Sequence, residues 1–392
     1  MTTAMSTSKE VPVNRNAHGR RRGEGQILVI FALGLIAMLG GVALVIEGGN
    51  VYQQQRSVQN ASDAAAEAGV VVLAQGMSLG VAKTDAEVAS AVSASALVNS
   101  IGATAYYTNW QGQPLDASGN VVAKNLAVQV GAAPGGTVPP NAQGVHAAGS
   151  RTFGTTIGHV MGFNNFTASA EATAVAGAPT GGLFLPVVFP VNITDCSGNG
   201  SLGAEKDDWF VSQPGTPPAH PVGTEYIVPL CKTGSGSFMV LDLDGIKNNC
   251  EEEVLHPKFK GFDSFPTEVD SDNGNNCAKQ MADAVNSRHG ETVLVPICDN
   301  NECNTDGGSK ATYHITGVAA FWIDYMEYSN NKNNSLCQTH YNSDTPPQQL
   351  ITISGNGSSS CIAGYFVRFI TSGPVGPNPI GNGDAIGIQL IQ

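Results

Sequence analysis

The first 195 residues contain no cysteine, although the chain has eight. Charge is sparse as well: 13% of residues are Asp, Glu, Lys or Arg, with 32 acidic groups against 19 basic ones. A polypeptide at net −13 repels phosphate backbones, which excludes nucleic acid as a partner. Several catalytic signatures are missing. There is no His-Glu-x-x-His pair, no P-loop, and no Gly-x-Gly-x-x-Gly that opens a helix. The histidines are scattered, and His220, His256, His289, His314 and His340 fall at no ligand spacing. The sequence therefore reads as a non-enzyme without cofactor or bound metal.

One stretch lacks polar groups altogether. From Ile27 to Ile46 the sequence is ILVIFALGLIAMLGGVALVI. At about 1.5 Å per residue in a helix, this run covers roughly the 30 Å hydrocarbon core of a bilayer. A helix is the only single-pass solution, because lipid offers no partners to backbone polar groups. A secretory signal typically has a shorter apolar region and a small-x-small cleavage site. Ile-Glu-Gly-Gly is not such a site, so the reading is a retained anchor.

Residues 1–26 carry Lys9, Arg15, Arg20, Arg21 and Arg22 against Glu10 and Glu24, a net of +3. That leaves 14 basic and 30 acidic groups in residues 47–392, a net of −16. The positive-inside rule places the tail 1–26 in the cytoplasm, 27–46 in the membrane and 47–392 outside. The cysteines agree. Cys196, Cys231, Cys250, Cys277, Cys298, Cys303, Cys337 and Cys361 all lie in the distal half, an even set suited to disulfides in an exported domain. Eight cysteines allow on the order of a hundred connectivities, and sequence does not choose among them. Cys298-x4-Cys303 resembles half a zinc site, but no second ligand pair follows.

The exported part divides by composition. Residues 47–179 are rich in Ala, Val, Ser and Thr. After Gly177-Ala-Pro-Thr-Gly-Gly182, read as a linker, residues 180–392 become rich in Cys, Asp, Asn and aromatics. The expected fold is α+β: a transmembrane helix, a small pilin-like α+β module, then a disulfide-containing β-rich, sandwich-like domain. In the module, Val51, Val58, Ala61, Ala65, Ala68 and Val72 recur at helical spacing, continuing the anchor as a helix over 51–76. Thr84-Asp-Ala-Glu87 is a capping box for a second helix ending near Ser100. Strands are expected at 103–110, 125–132 and 144–149, a short helix at 151–161, and a strand at 166–176. In that last strand Thr167, Ser169, Glu171 and Thr173 face one side, and Ala168, Ala170, Ala172 and Ala174 the other. Apolar runs predict further strands at 183–191, 226–230, 238–243, 292–297, 313–325, 349–353 and 365–370.

Arg20-Arg21-Arg22-Gly23-Glu24-Gly25-Gln26 precedes the apolar span, which ends in Glu47 and Gly48. Tyr52, Gln59-Asn60-Ala61-Ser62-Asp63-Ala64-Ala65 and Ala68-Gly69 follow. This series resembles the N-terminal module of TadE/TadG-like Flp pilus-assembly proteins, and Thr152–Ala176 is similar to the end of that module. Glu47 stands where the family usually has Asp, and Glu67 where an apolar residue is usual. The resemblance implies an envelope component of a Tad-type pilus or secretion system. Its expected partners are the lipid bilayer, other membrane proteins of that system, and further copies of itself. Some relatives are cut after a glycine and carry Glu at the fifth mature position. Leu28 stands at that place after Gly23, which favours a stationary component over a filament subunit. The alternative is a surface adhesin or ligand-binding protein using the same anchor.

Gly34, Ala37 and Gly41 share one face of the span, and Ala61, Ala65 and Ala68 continue a small-residue face beyond it, a pattern that admits a partner helix. Larger family members often carry a von Willebrand A domain, whose metal site begins Asp-x-Ser-x-Ser. Asp195-Cys196-Ser197-Gly198-Asn199 departs from that pattern and reads as a polar turn. Asp242-x-Asp244-Gly245 and Asp270-x-Asp272-x-Gly274 offer hard oxygen ligands for calcium. Neither completes the EF-hand spacing, and both read as turns.

Overall fold

The computed structural model describes residues 24–190, 192–194, 201–205, 226–230, 239–257, 259, 261–262, 264–272, 274–298, 312–328, 360–368, 370–376 and 385–391. The expected strand at 349–353 and the sequence Asp195–Asn199 lie outside them. The fold is α+β. By internal contacts it forms two compact units. One takes the chain up to Ser57 together with Arg151–Ala168, the other Val58–Ser150 with Ser169–Gln392.

Helix α1 runs unbroken from Glu24 to Leu79, 56 residues, through both the apolar run and the Ala-rich stretch. Large apolar side chains of its first part stand in the open: Leu28, Phe31, Met38 and Leu44 are each 70% exposed or more. Lipid covers such a surface at low cost, and by length and composition the helix is long and apolar enough to cross a bilayer. In this first unit Ala43 and Glu47, one helical turn apart, are buried. The Glu47 carboxylate accepts the backbone N–H groups of Thr156 (3.1 Å) and Ile157 (3.2 Å).

In the second unit, Thr84 caps α2 (Asp85–Val98). Its hydroxyl accepts from Glu87 N, and the Glu87 carboxylate accepts from Thr84 N at 2.8 Å, so the capping box forms as expected. The helix ends where Ser100 takes a left-handed conformation, φ 55°. Strands β1 (Gly102–Thr108), β2 (Gly144–Gly154) and β3 (Asn165–Pro179) follow. The alternation read for β3 holds: Ala168, Ala170, Ala172 and Ala174 are buried while Thr167, Ser169 and Glu171 are exposed. Gly177–Pro179 is not a linker. It continues β3 and is buried, because Gly177 lies against the backbone of Gly376 with no room for a side chain.

Two further expectations fail. The short helix at 151–161 is replaced by the outer end of β2 and a 3-10 turn, Gly158–Met161. Thr152 and Phe153 find cross-strand partners in Thr167 (2.9 Å) and Phe166, which favours strand over helix. The strand at 125–132 is a 3-10 turn, Lys124–Leu126, followed by an irregular edge segment. It exchanges two hydrogen bonds with β1, Tyr107 N to Val128 O and Val130 N to Ala105 O, before Gly131 turns it away at φ 88°.

Beyond Pro179 come β4 (Phe189–Pro190), β5 (Asn192–Thr194), β6 (Ser201–Glu205), β7 (Tyr226–Pro229), α3 (Cys250–Leu255), β8 (Thr267–Asp270) and α4 (Gly274–Ser287). They are followed by β9 (Thr292–Cys298), β10 (Thr312–Glu327), β11 (Cys361–Val367), β12 (Ile370–Ser372), β13 (Val375–Gly376) and β14 (Ile386–Ile391). Of the run at 238–243, the described residues 239–243 form isolated bridges in place of a strand, Val187 with Val240 and Leu241 with Ser271. One sheet has the order β1-β2-β3-β14-β12, with β13 on β3; a second has β4-β9-β10-β11-β7, with β8 on β10; and β5 pairs β6 in a separate two-stranded sheet. The last strand thus returns to the sheet of the N-proximal module, Ile388 opposite Ala176.

The long strand β10 is buried on both faces. Ala319, Phe321 and Ile323 join a core with Met281, Ala284 and Val285 of α4 and Val254 of α3. Val318, Ala320 and Trp322 join another with Phe184, Phe262 and Phe265. Helices therefore cover one face of this sheet where a sandwich would have strands. Cys250 of α3 and Cys277 of α4 form a disulfide with Cα atoms 5.3 Å apart. Closing a loop of this length stabilises by about 3–4 kcal/mol in the chain-entropy treatment. Cys298 and Cys361 are disulfide-bonded as well, whereas Cys196, Cys231, Cys303 and Cys337 lie outside the described residues.

Candidate assembly site on the N-terminal helix

The residues that carried the family resemblance hold α1 against the first sheet. Ser62 is fully buried. Its hydroxyl lies 2.9 Å from Val58 O in its own helix and 3.1 Å from Ala170 O of β3. Gln59 Nε2 donates to Asp63 Oδ1 (2.9 Å) and to Glu171 O (3.2 Å). Strand carbonyls are thus joined to the helix by side chains one turn apart. Gly149 of β2 faces Ser62, and a Cβ there would run into the Ser62 hydroxyl. Gly69 serves the same close approach further along. A Cβ on it would sit 2.9 Å from Val92 Cγ2 and 3.0 Å from Val145 Cγ2.

This contact consumes part of the predicted small-residue face. Ala61 and Ala65 are buried, Ala65 in a core with Val88, Tyr107, Val145 and Ala174, and Ala68 is half-buried. They are therefore engaged within their own domain. Gly34, Ala37 and Gly41 are exposed, and among the described residues Cβ atoms on the two glycines would meet nothing within 4 Å. At 3.6 residues per turn this trio lies roughly across the helix from Ala43 and Glu47. Glu67 is exposed, so its charge stays in solvent.

Sequence reading missed Asp85. It follows the cap of α2, yet its carboxylate is buried and accepts from Tyr107 Oη (2.7 Å), Gly131 N (2.8 Å) and Ala133 N (3.0 Å). Burial and this neighbour raise the Tyr107 phenol well above its ordinary range, so it remains a donor. The paired carboxylate pins the segment that leaves β1's edge.

A polar cluster lies where β2 and β3 meet a cleft of about 540 Å³, which Gln59, Asp63, His146, Glu171, Leu390 and Ile391 line among others. Lys124 Nζ pairs with Glu171 Oε1 at 2.7 Å, and His146 Nδ1 lies 2.8 Å from Thr173 Oγ1. Tyr106 stacks on the His146 ring at 4.5 Å. His146 Nε2 is 3.4 Å from Glu171 Oε2 but too poorly aligned for a hydrogen bond. Burial, then the Lys124 charge, holds His146 below its ordinary pKa.

Sequence reading found no Gly-x-Ser-x-Gly elbow, yet one such spacing does occur. Gly76-Met77-Ser78-Leu79-Gly80 matches the Gly-x-Ser-x-Gly nucleophile elbow. That elbow needs an exposed serine on a strand-to-helix turn. Ser78 is fully buried in the last turn of α1, so the spacing is a helix end. Among the described residues no histidine joins a group of three possible metal ligands. Cys250, Asp272 and Cys277 do lie together, but the two sulfurs are bonded to each other and supply no thiolate.

The comparison with family models matches residues 25–76 to the Flp pilus-assembly TadE/G-like family. The matched stretch covers the span and the docked helix, and it associates this segment with Flp pilus assembly in general. That family is one of assembly, not of enzymes. No curated protein and no solved structure gives a match.

Proposed function

We propose that this protein is a membrane-anchored structural component of the cell envelope that takes part in Flp/Tad-type pilus assembly or secretion. In this reading residues 1–26 are cytoplasmic and the chain from Glu47 onward is extracytoplasmic. A module ending near Pro179 serves assembly, and a distal part carries the disulfides. The protein acts without catalysis, through contacts with other membrane proteins of the system or with its own copies. The observation that carries this reading is the exposed trio Gly34, Ala37 and Gly41 on a helix whose family motif is otherwise spent on holding its own sheet. Small residues on one face let a partner backbone approach closely in lipid, where apolar surface alone gives no drive to associate.

Cysteine crosslinking in membranes tests it. Cysteines placed at Ala37 and Gly41 should crosslink to a partner or a second copy, and cysteines at Ile36 and Leu39 should not. Gly41→Leu should weaken the association although it makes the span more apolar. Equal crosslinking on both faces would reduce the helix to an anchor.

A further inference from the structure

The loop between the Leu241 bridge and α3 brings three carboxylates together. Asp242, Asp244 and Glu253 each offer an oxygen, and these oxygens lie within 4.8 Å of one another. In chain order they occupy the first, third and twelfth positions of a twelve-residue run, and Glu253 enters on a helix that begins at the ninth. An EF-hand loop takes side-chain ligands at those positions and a glutamate at the twelfth. The fifth position here is Ile246 and the ninth a disulfide cysteine, so the set is reduced.

Acidic clusters are common on protein surfaces, and this one differs in that two of its carboxylates, Asp242 and Glu253, are buried with a valence unused. The Asp242 side chain is 5% exposed and Glu253 is 4% exposed. Among the described residues, Asp242 Oδ1 and Glu253 Oε2 have no hydrogen-bond partner. The other oxygen of each is committed: Asp242 Oδ2 to Lys247 Nζ at 2.7 Å, Glu253 Oε1 to Leu243 N (2.8 Å) and Asp244 N (2.9 Å). Buried carboxylate oxygens left bare are costly, and a hard cation would satisfy both. One lysine offsets one of three negative charges, leaving room for a dication.

The loop is built in advance of any ion. Asp244 Oδ1 accepts Ile246 N (2.8 Å), and its Oδ2 accepts Asn249 Nδ2 (3.0 Å). Gly245 and Asn248 take left-handed turns at φ 76° and 62°. Asp272 accepts Asn248 N at 2.7 and 2.8 Å, and the Cys250–Cys277 bridge ties the start of α3 to α4. The second Asp pair of the sequence thus supports the first.

We propose that Asp242, Asp244 and Glu253 form a calcium-binding loop. With three carboxylates, the remaining positions fall to water or backbone carbonyls. The expected affinity is that of extracellular modules, a Kd on the order of 10⁻⁴–10⁻³ M.

Full-length protein in detergent micelles, stripped with EDTA, is titrated calorimetrically with CaCl2 and MgCl2, and its melting is followed with and without calcium. One calcium per chain should bind, with magnesium about tenfold weaker or worse because it demands a tighter octahedral shell. Millimolar calcium should raise the Tm. Glu253→Gln keeps an acceptor for the two backbone N–H groups and should lower calcium affinity about tenfold or more, with the calcium-free Tm retained. Asp244→Asn, in a half-exposed turn, should do the same and serves if the first variant fails to fold. Absence of binding up to about 20 mM calcium, far above the expected range, would overturn the proposal. So would unchanged affinity in the folded variants.

Discussion

Gly69→Ala is the sharpest test of how the N-terminal helix docks. Alanine exceeds glycine in helix propensity by about 1 kcal/mol, so at an exposed position in α1 the change would stabilise. At Gly69 the new methyl would stand 2.9 Å from Val92 Cγ2 and 3.0 and 3.2 Å from the two Val145 methyls. Carbon atoms prefer about 3.5–4.0 Å, and valine has little χ1 freedom with which to yield. Overpacking of this kind costs about 1–3 kcal/mol, so the net expectation is a loss of about 1 kcal/mol. Sign alone is a weak criterion, and a double-mutant cycle strengthens it. Val92→Ala by itself removes buried methyls and destabilises. Combined with Gly69→Ala it removes the closest of the three contacts and leaves the two to Val145, so the pair should cost less than the sum by about 0.5–1 kcal/mol. Denaturant unfolding of the detergent-solubilised protein, with a probe in the first sheet, measures all three variants. Strict additivity, or a gain of stability from Gly69→Ala alone, would refute the close approach.

Protease added to intact spheroplasts should remove the bulk of the chain and leave a small N-terminal stub; protection of the large part would reverse the proposed orientation. Acid should weaken the first sheet through His146. Burial and Lys124 depress its pKa in the fold, so the unfolded chain binds the proton more tightly. The resulting stability is present above about pH 6.5 and is lost as pH falls below it, at no more than about 1.4 kcal/mol per pH unit. Lys124, Glu171 and Tyr106 are the titratable groups facing this ring. Unfolding measured from about pH 7.5 to 5 should lose that slope in His146→Gln; an unchanged slope would assign it elsewhere.

The features legible in the sequence were those set by local periodicity. The apolar run, the capping box and the Ala/Thr alternation of β3 each follow from a repeat that the chain must bury or satisfy. What escaped were elements whose signal is split. Helix α4 carries Cys277, Met281, Ala284 and Val285 at helical spacing, all buried against β10, but Asn and Gly at its start resemble a loop. Helix α3 is six residues with three consecutive glutamates, too short for periodicity to show. Missing it also hid Glu253 as the twelfth residue of the Asp242 loop. The supposed linker at 177–182 misled for a different reason: Gly177 is there because another backbone lies against it, not because the chain must bend.

The two halves of α1 show why a small-residue face has no fixed meaning. Beyond the apolar run, Ala61, Ala65 and Gly69 face water in the unfolded chain, so burying them against β2 and β3 is driven by removal of apolar surface. Their size then sets how near the helix can come. Within the span no such drive exists, since lipid is as apolar as any partner. Gly34, Ala37 and Gly41 gain nothing from burial as such, only from the packing that a close backbone contact permits. Large residues would fill lipid equally well at those positions, so a face of three small ones has consequence only where another helix meets it. That is why Gly41→Leu separates the readings: it is neutral for an isolated anchor and disruptive for an assembled one.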